Sequence, residues 1–279
     1  MSRRAKSWIA VVASTALAAL AACSAVQTTQ PGAIGVERKQ YMAVAASDVD
    51  QAAVQAYAQE LDKARKAGAL NKDAKQVERV RTIAQRLIPQ TKVFRPDAVG
   101  WNWEVNVQTS DDVNAYCMPG GKIMVYTGLI EKLNATDEEL AAVIGHEMAH
   151  ALREHTRERI SRTYAEQLLL AGVAVATGAG EGMMQLASQV TAVTFQLPHS
   201  REQETEADRI GLELMARAGY DPNAAVTLWQ KMGKVGGSGG PEFLSTHPAS
   251  GSRQQRLQAD IPRVQPLYLA AKKGGSSRG

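Results

Sequence analysis

Residues 142–152 read Ala142-Val143-Ile144-Gly145-His146-Glu147-Met148-Ala149-His150-Ala151-Leu152, "AVIGHEMAHAL". Two histidines four positions apart and a glutamate interrupt an apolar run. A buried imidazole or carboxylate without a partner costs several kcal/mol, so three of them on one apolar stretch call for a partner. Upstream, Thr136-Asp137-Glu138-Glu139 forms a capping box: a threonine N-cap, a glutamate three residues on, and acids at the positive end of a helix dipole. Leu140, Val143, Ile144 and Leu152 supply the buried stripe. The spacing therefore predicts a helix that starts at Thr136 and carries His146, Glu147 and His150 well inside it.

At 3.6 residues per turn His146 and His150 point the same way. Two imidazoles so placed can bind one Zn²⁺ at roughly 2.0–2.1 Å each. Glu147 projects to the side, where it can act on an attacking water without binding the metal, as the H-E-x-x-H pattern requires. A third ligand must come from elsewhere. Arg153 and Thr156 stand where the extended pattern H-E-x-x-H-x-x-G-x-x-H needs glycine and histidine, which excludes that class. His155 is one position out of register and reads as a surface residue. A later stretch, "SREQETEADRIG" (Ser200 to Gly211), offers carboxylates. Glu204 and Asp208 are i and i+4 and share a helix face. Glu204 could complete a His₂Glu site while Asp208 accepts the second N–H of a liganding histidine and fixes its tautomer. Glu202, Glu206 and Glu213 read as a solvated acidic face. Spacing alone does not choose Glu204 over Glu206.

The remainder of the 279 residues, 44% hydrophobic and 22% charged, suits an α+β domain that is mainly helical. Asp48 to Leu87 reads as two amphipathic helices broken near Gly68. "WNWEVNVQ" (Trp101 to Gln108) alternates as a strand does, and Val113 to Ile130 holds two more β-like runs around Pro119-Gly120-Gly121. These predict one small antiparallel sheet over 101–126, the only one in the protein. Leu168 to Gly180 is apolar but far short of the ~20 residues a membrane span needs, and reads as a core helix. Residues 181–199 read as a further helix or a mobile lid, Ser200 to Tyr220 as a long helix ended by Gly219, and Gly233 to Pro241 as a flexible loop.

The first residues read as a targeting signal. Arg3, Arg4 and Lys6 precede the apolar stretch Trp8 to Ala22, which closes in "LAAC" before Cys23 and looks like a bacterial lipobox. The expectation is a lipoprotein signal peptide over 1–22, lipidation of Cys23, a tether over 23–47, a domain over 48–265 and a disordered tail over 266–279. An ordinary signal peptide cut nearby, or an uncleaved anchor, is the alternative. Ser24 after the cysteine points to the periplasmic face of the outer membrane. Losing three basic and no acidic residues lowers the formal net charge from +4 to +1, and nothing concentrates basic charge as a nucleic-acid face would. With Cys23 assigned to lipid, Cys117 has no disulfide partner and reads as a small buried hydrophobe.

Four segments in order, "NAYCMPGG", "GHEMAHALREH", "SREQETEAD" and "STHPASGSRQQRL", resemble the zinc peptidases related to the CAAX prenyl protease and the heat-shock protease HtpX. The resemblance covers roughly residues 75–262. It implies a zincin-like (gluzincin) domain holding one Zn²⁺ on His146, His150 and Glu204, with Asp208 behind a ligand. It implies a transition-state-stabilising role for His247, with Arg253 supporting the site. It makes the segment of Asn114, Ala115, Pro119, Gly120 and Gly121 a strand edge along which substrate backbone lies, with Cys117 at a variable position. Lacking multiple spans and a C-terminal helical-repeat domain, the chain is most similar to short periplasmic lipoprotein members that act in envelope quality control. The expected function is a zinc endopeptidase acting on unfolded or misassembled envelope proteins, with the outer-membrane assembly machinery as a further partner. The alternative is a metal-stabilised chaperone or scaffold that does not cut.

Overall fold

The computed structural model describes residues 24–171, 179–235, 241–248 and 252–276. The expected signal peptide, Cys23 and the middle of the glycine-rich loop lie outside the described residues. Strands β1 (Ser24–Val26) and β2 (Gln40–Met42) pair antiparallel, and helices α1 (Ala46–Lys66) and α2 (Ala74–Leu87) follow. Gly68, with φ +63°, breaks the chain between those helices, and Asp73 caps the second by accepting from the backbone of Lys75 and Gln76. Two short 3₁₀ turns lead to β3 (Glu104–Gln108), β4 (Ala115–Met118) and β5 (Lys122–Tyr126). Next come α3 (Thr127–Lys132), α4 (Asp137–Leu152), α5 (His155–Ala171), α6 (Ala179–Phe195), α7 (Arg201–Arg217), α8 (Asn223–Met232), the short α9 (Glu242–Thr246) and α10 (Arg253–Ser276). Among the described residues no helix is long and apolar enough to cross a membrane.

The larger sheet has the order β3-β5-β4 and is mixed: β4 runs antiparallel to β5, but β3 runs parallel to it. This corrects the expectation of one purely antiparallel sheet, and the β1–β2 pair is a second sheet. Pro119-Gly120-Gly121 fixes only the β4–β5 hairpin. Which strand β3 joins is decided by packing, and β5 takes the middle place because both its faces are buried, Ile123 and Val125 on one and Met124 on the other. That order leaves β4 as an edge.

Helices α4 and α7 cross backbone to backbone. A Cβ on Gly211 would lie 2.8 Å from the amide nitrogen of His146, so only glycine permits the approach. The capping box at Thr136 starts α4 as expected, and Ser200 with Gln203 makes a second one at the start of α7. The main core gathers α2, α4, α7, α8 and one side of the sheet. A second apolar cluster packs α6 (Leu186, Ala187, Val190) on α1 (Val49, Ala53, Tyr57) and on Tyr116 of β4. Residues 181–195 are thus a packed helix.

Two further expectations are corrected. The segment 24–47 is not a loose tether: Ile34 and Val36 enter the main core, and Arg38 and Gln40 hydrogen-bond buried carboxylates. Its apolar residues are too widely spaced to show a period, so the sequence pattern hides their burial. The stretch from 266 is helical as far as Ser276, continuing α10 through Pro262 and Pro266.

Candidate metallopeptidase site

Helix α4 presents His146 and His150 on one face, with their Nε2 atoms 3.1 Å apart. Helix α7 crosses them and brings Glu204: its Oε1 is 3.3 Å from His150 Nε2, and its Oε2 is 3.7 Å from His146 Nε2. Metal–ligand bonds of roughly 2.0–2.1 Å at tetrahedral angles put donor atoms about 3.3–3.4 Å apart, so these three residues fit one divalent ion. A fourth donor stands beside them. His247, which closes α9, lies with Nδ1 at 3.0 Å from Glu204 Oε1 and 3.3 Å from His146 Nε2. The amide N–H of Phe243 donates to the Val113 carbonyl, which pins α9 against the start of β4 and holds His247 in place.

Burial sets the protonation states. It pushes the His146 imidazole well below its usual pKa and the His150 imidazole down to about 3, so both keep a lone pair free. Burial opposes ionisation of Glu204, but His247, 3.0 Å away, outweighs it and holds the carboxylate charged. Glu147, also on α4, is driven by burial up to about 7, with His247 pulling the other way. Its Oε1 has no hydrogen-bond partner among the described residues although it lies 3.4 Å from His247 Nε2. A carboxyl whose pKa sits near neutrality, with one buried oxygen unpaired and aimed into a cleft, suits proton transfer.

Asp208 stands 3.1 Å from His146 Nδ1, the ring nitrogen opposite the one turned toward Glu204. Burial raises its pKa to about 6 against the pull of Arg253. Arg253 donates to Asp208 Oδ1 and, at 2.8 Å, to Glu204 Oε2 while its guanidinium lies 3.3 Å over the Trp229 ring. The arginine ties the two carboxylates of α7 together. Asn114 precedes β4 and Ala115 begins it; the outer edge of β4, which pairs with no strand among the described residues, lines the same cleft as Glu147, His150 and His247. Cys117 is buried there, and burial pushes its thiol well up, as an inert hydrophobe requires.

The structure therefore gathers His146, His150, Glu204, His247, Glu147, Asp208, Arg253, Asn114 and Ala115 around one cleft. It corrects three other expectations. His155 is not on the surface but fully buried, 2.8 Å from His150 Nδ1 and 3.0 Å from Glu206. Glu206 and Glu213 are not a solvated face. Glu206 meets Arg38, Arg153 and His155, and Glu213 accepts the backbone N–H groups of Ala33 and Ile34. Of the three acids expected on that face, Glu202 is exposed. Nothing in the sequence singles out His199, Trp229 and Phe243. His199 stacks on His247 and lines the cleft, Phe243 stacks on the other side of His247, and Trp229 floors Arg253. Their places follow from long-range packing, and the aromatics sit in ordinary apolar stripes that carry no separate signal.

An H-E-x-x-H helix completed by a glutamate from a second, crossing helix defines a zincin-like metallopeptidase domain of the gluzincin type. The chain belongs to peptidase family M48, whose family model matches residues 74–261. It is 43% identical over 163 residues to mitochondrial metalloendopeptidase OMA1 of Arabidopsis thaliana, a match covering 57% of this chain and 32% of that protein. It is 30% identical over 178 residues to metalloprotease LoiP of Escherichia coli (strain K12), covering 63% of this chain and 69% of LoiP. Metalloprotease YcaL of the same bacterium is 26% identical over 180 residues, again covering 63% and 69%. The chain spans about a third to a half of the length of the OMA1 proteins of Arabidopsis and the fission and budding yeasts.

Proposed function

We propose that the protein is a zinc-dependent endopeptidase of the bacterial cell envelope that hydrolyses unfolded or misassembled envelope proteins. In this reading it is held by lipid on Cys23 to the periplasmic face of the outer membrane. The observation that carries the reaction is the buried Oε1 of Glu147, unpaired among the described residues, beside a set of donors spaced for one metal ion. Zinc is favoured over magnesium or calcium because the donors include imidazoles. His146, His150 and Glu204 would hold it, and when bound it supplies a Lewis acid that acidifies water and polarises the scissile carbonyl. Glu147 takes the proton of the attacking water and delivers it to the leaving amine. His247, whose ring nitrogens face the Glu204 and Glu147 carboxylates, donates to the developing oxyanion. The outer edge of β4, which Asn114 precedes and Ala115 begins, binds extended main chain without reading side chains, which favours unfolded segments over folded ones. The relatives LoiP and YcaL, named as metalloproteases, support the peptidase activity, and the lipobox-like "LAAC" supports the envelope setting.

The test compares casein cleavage by the purified chain with that by Glu147→Gln, alongside the metal content of both. The expected result is equal metal and a loss of about 10²–10⁴ in rate. Equal cleavage would end the peptidase reading in favour of a non-cutting, metal-stabilised scaffold.

A further inference from the structure

His155 offers no atom to the metal, yet its ring is fully buried between a ligand and a carboxylate. Its Nδ1 is 2.8 Å from Nδ1 of His150, and its Nε2 is 3.0 Å from Glu206 Oε2. Glu206 is ionised. The guanidiniums of Arg38 and Arg153 pair with it at 2.7 and 3.1 Å. An ionised carboxylate only accepts, so the proton of the 3.0 Å contact sits on His155 Nε2. In the metal-site reading His150 coordinates through Nε2, so its ring proton sits on Nδ1 and His155 Nδ1 accepts it. The 2.8 Å contact between two ring nitrogens needs one proton, and only His150 Nδ1 can supply it. His150 is thereby held as the Nδ1–H tautomer, with the lone pair of Nε2 turned toward Glu204 and His146.

Resting on the metal-site reading, we propose that His155 and Glu206 are positioning residues that fix the tautomer and ring orientation of the ligand His150, as Asp208 does for His146. The two ligands are thus steadied from opposite sides by different means: a direct carboxylate for His146, and a carboxylate acting through a second imidazole for His150. The far end of the second chain is anchored by the amino-terminal segment. Arg38 reaches both Glu206 and Glu158, and Arg153 adds a further hydrogen bond to Glu206 at 3.1 Å. Gln40 and Gln203 satisfy Glu158, so the buried charges behind His155 are each met by a donor.

The experiment uses the full-length chain and two readouts. In the metal-free wild type, long-range ¹H–¹⁵N spectra of ring-labelled histidine should show His150 protonated on Nδ1. In His155→Leu that preference should be lost, and zinc affinity, measured by competition with a chromophoric chelator, should fall about 10–100-fold. His155→Gln can accept from His150 through its carbonyl and donate to Glu206 through its amide, so it should recover most of the affinity. A wild-type His150 protonated on Nε2 overturns the proposal, even if His155→Leu does not fold. Unchanged affinity in a folded His155→Leu overturns it too. A wild-type chain that takes up no zinc overturns the metal-site reading instead, and leaves the tautomer measurement to decide the hydrogen-bond chain.

Discussion

Replacing Gly211 by alanine should disable the metal site although residue 211 touches no metal. The new Cβ would meet His146 at 2.8 Å from its N and 2.9 Å from its Cα, and Gly145 at 3.0 Å from its carbonyl carbon. Ordinary Cβ contacts begin near 3.4 Å, leaving a shortfall of about 0.6 Å against backbone that no rotamer change relieves. Two effects oppose each other. Alanine gains up to about 1 kcal/mol over glycine in a helix interior, and overpacking of a tight contact costs about 1–3 kcal/mol. The backbone clash should win, for a net loss of about 1–2 kcal/mol, read as a drop of roughly 2–8 °C in thermal midpoint. The larger consequence is geometric. Glu204 and Asp208 ride on the helix that must move, while His146 and His150 ride on the other. A divalent site tolerates roughly ±0.2 Å in its distances, so a shift of ~0.6 Å should lower zinc affinity at least tenfold. Gly145→Ala is the graded control. Its Cβ would come only to 3.1 Å from the Gly211 carbonyl oxygen, so its effect should have the same sign and be smaller. Chelator competition and thermal unfolding of both variants decide the matter. Wild-type zinc affinity and midpoint in Gly211→Ala would refute the argument that the α4–α7 crossing sets the ligand distances.

Acid should unfold the metal-free protein in two stages. The histidines buried neutral at 146, 150 and 155 have pKa values below the ordinary imidazole value, so the unfolded chain binds more protons and stability falls as pH drops below about 6.5. Glu158 and Glu206 have pKa values near 2 because the hydrogen bonds of Arg38, Gln203, Gln40 and His155 outweigh burial. Their contribution is complete above about 4.5 and is lost as pH falls toward 2. Burial lifts Glu147 to about 7 and Asp208 to about 6, which offsets part of the first decline. Urea midpoints measured from pH 8 to 3 should therefore fall gently through the first window and more steeply through the second; midpoints that rise as pH falls from 6.5 to 5 would contradict neutral burial of the histidines. In the β4–β5 turn, Gly120 (φ +73°) has open space at its Cβ position, whereas a Cβ on Gly121 (φ +82°) would strike the Trp103 ring at 2.6 Å. Gly120→Ala should cost only the left-handed strain of about 1–2 kcal/mol and Gly121→Ala clearly more, as thermal unfolding would show.

What the sequence made legible is what local chemistry determines. The capping box at Thr136 and the stripe of Leu140, Val143 and Ile144 are short-range features, and the helix they announce is the one the structure has. The i, i+4 pairing of Glu204 with Asp208 is likewise a property of one helix. The sheet was legible as strands but not as an order, because alternation records which residues are half-buried and says nothing about which strand lies beside them. The amino-terminal segment was not legible because Ile34 and Arg38 find their hydrogen-bond partners more than a hundred residues away.

The acids of α7 show most plainly why a buried charge defeats a reading from one sequence. Glu202, Glu204, Glu206 and Asp208 alternate as a solvated run would, and desolvation alone would send all four to water. Three are buried, on two different faces. Glu204 and Asp208 turn toward α4, where His146, His150 and Arg253 meet them. Glu206, with Glu213 seven residues on, turns toward the amino-terminal segment and α5, where Arg38, His155 and the backbone of Ala33 and Ile34 meet them. Helix α7 is therefore a two-faced carboxylate carrier clamped between the ligand helix and the arm. The same clamp that pairs Glu206 also sets the depth at which Glu204 meets the histidines. An arm that looks dispensable on composition is thereby joined to the metal site by one rigid helix and one imidazole.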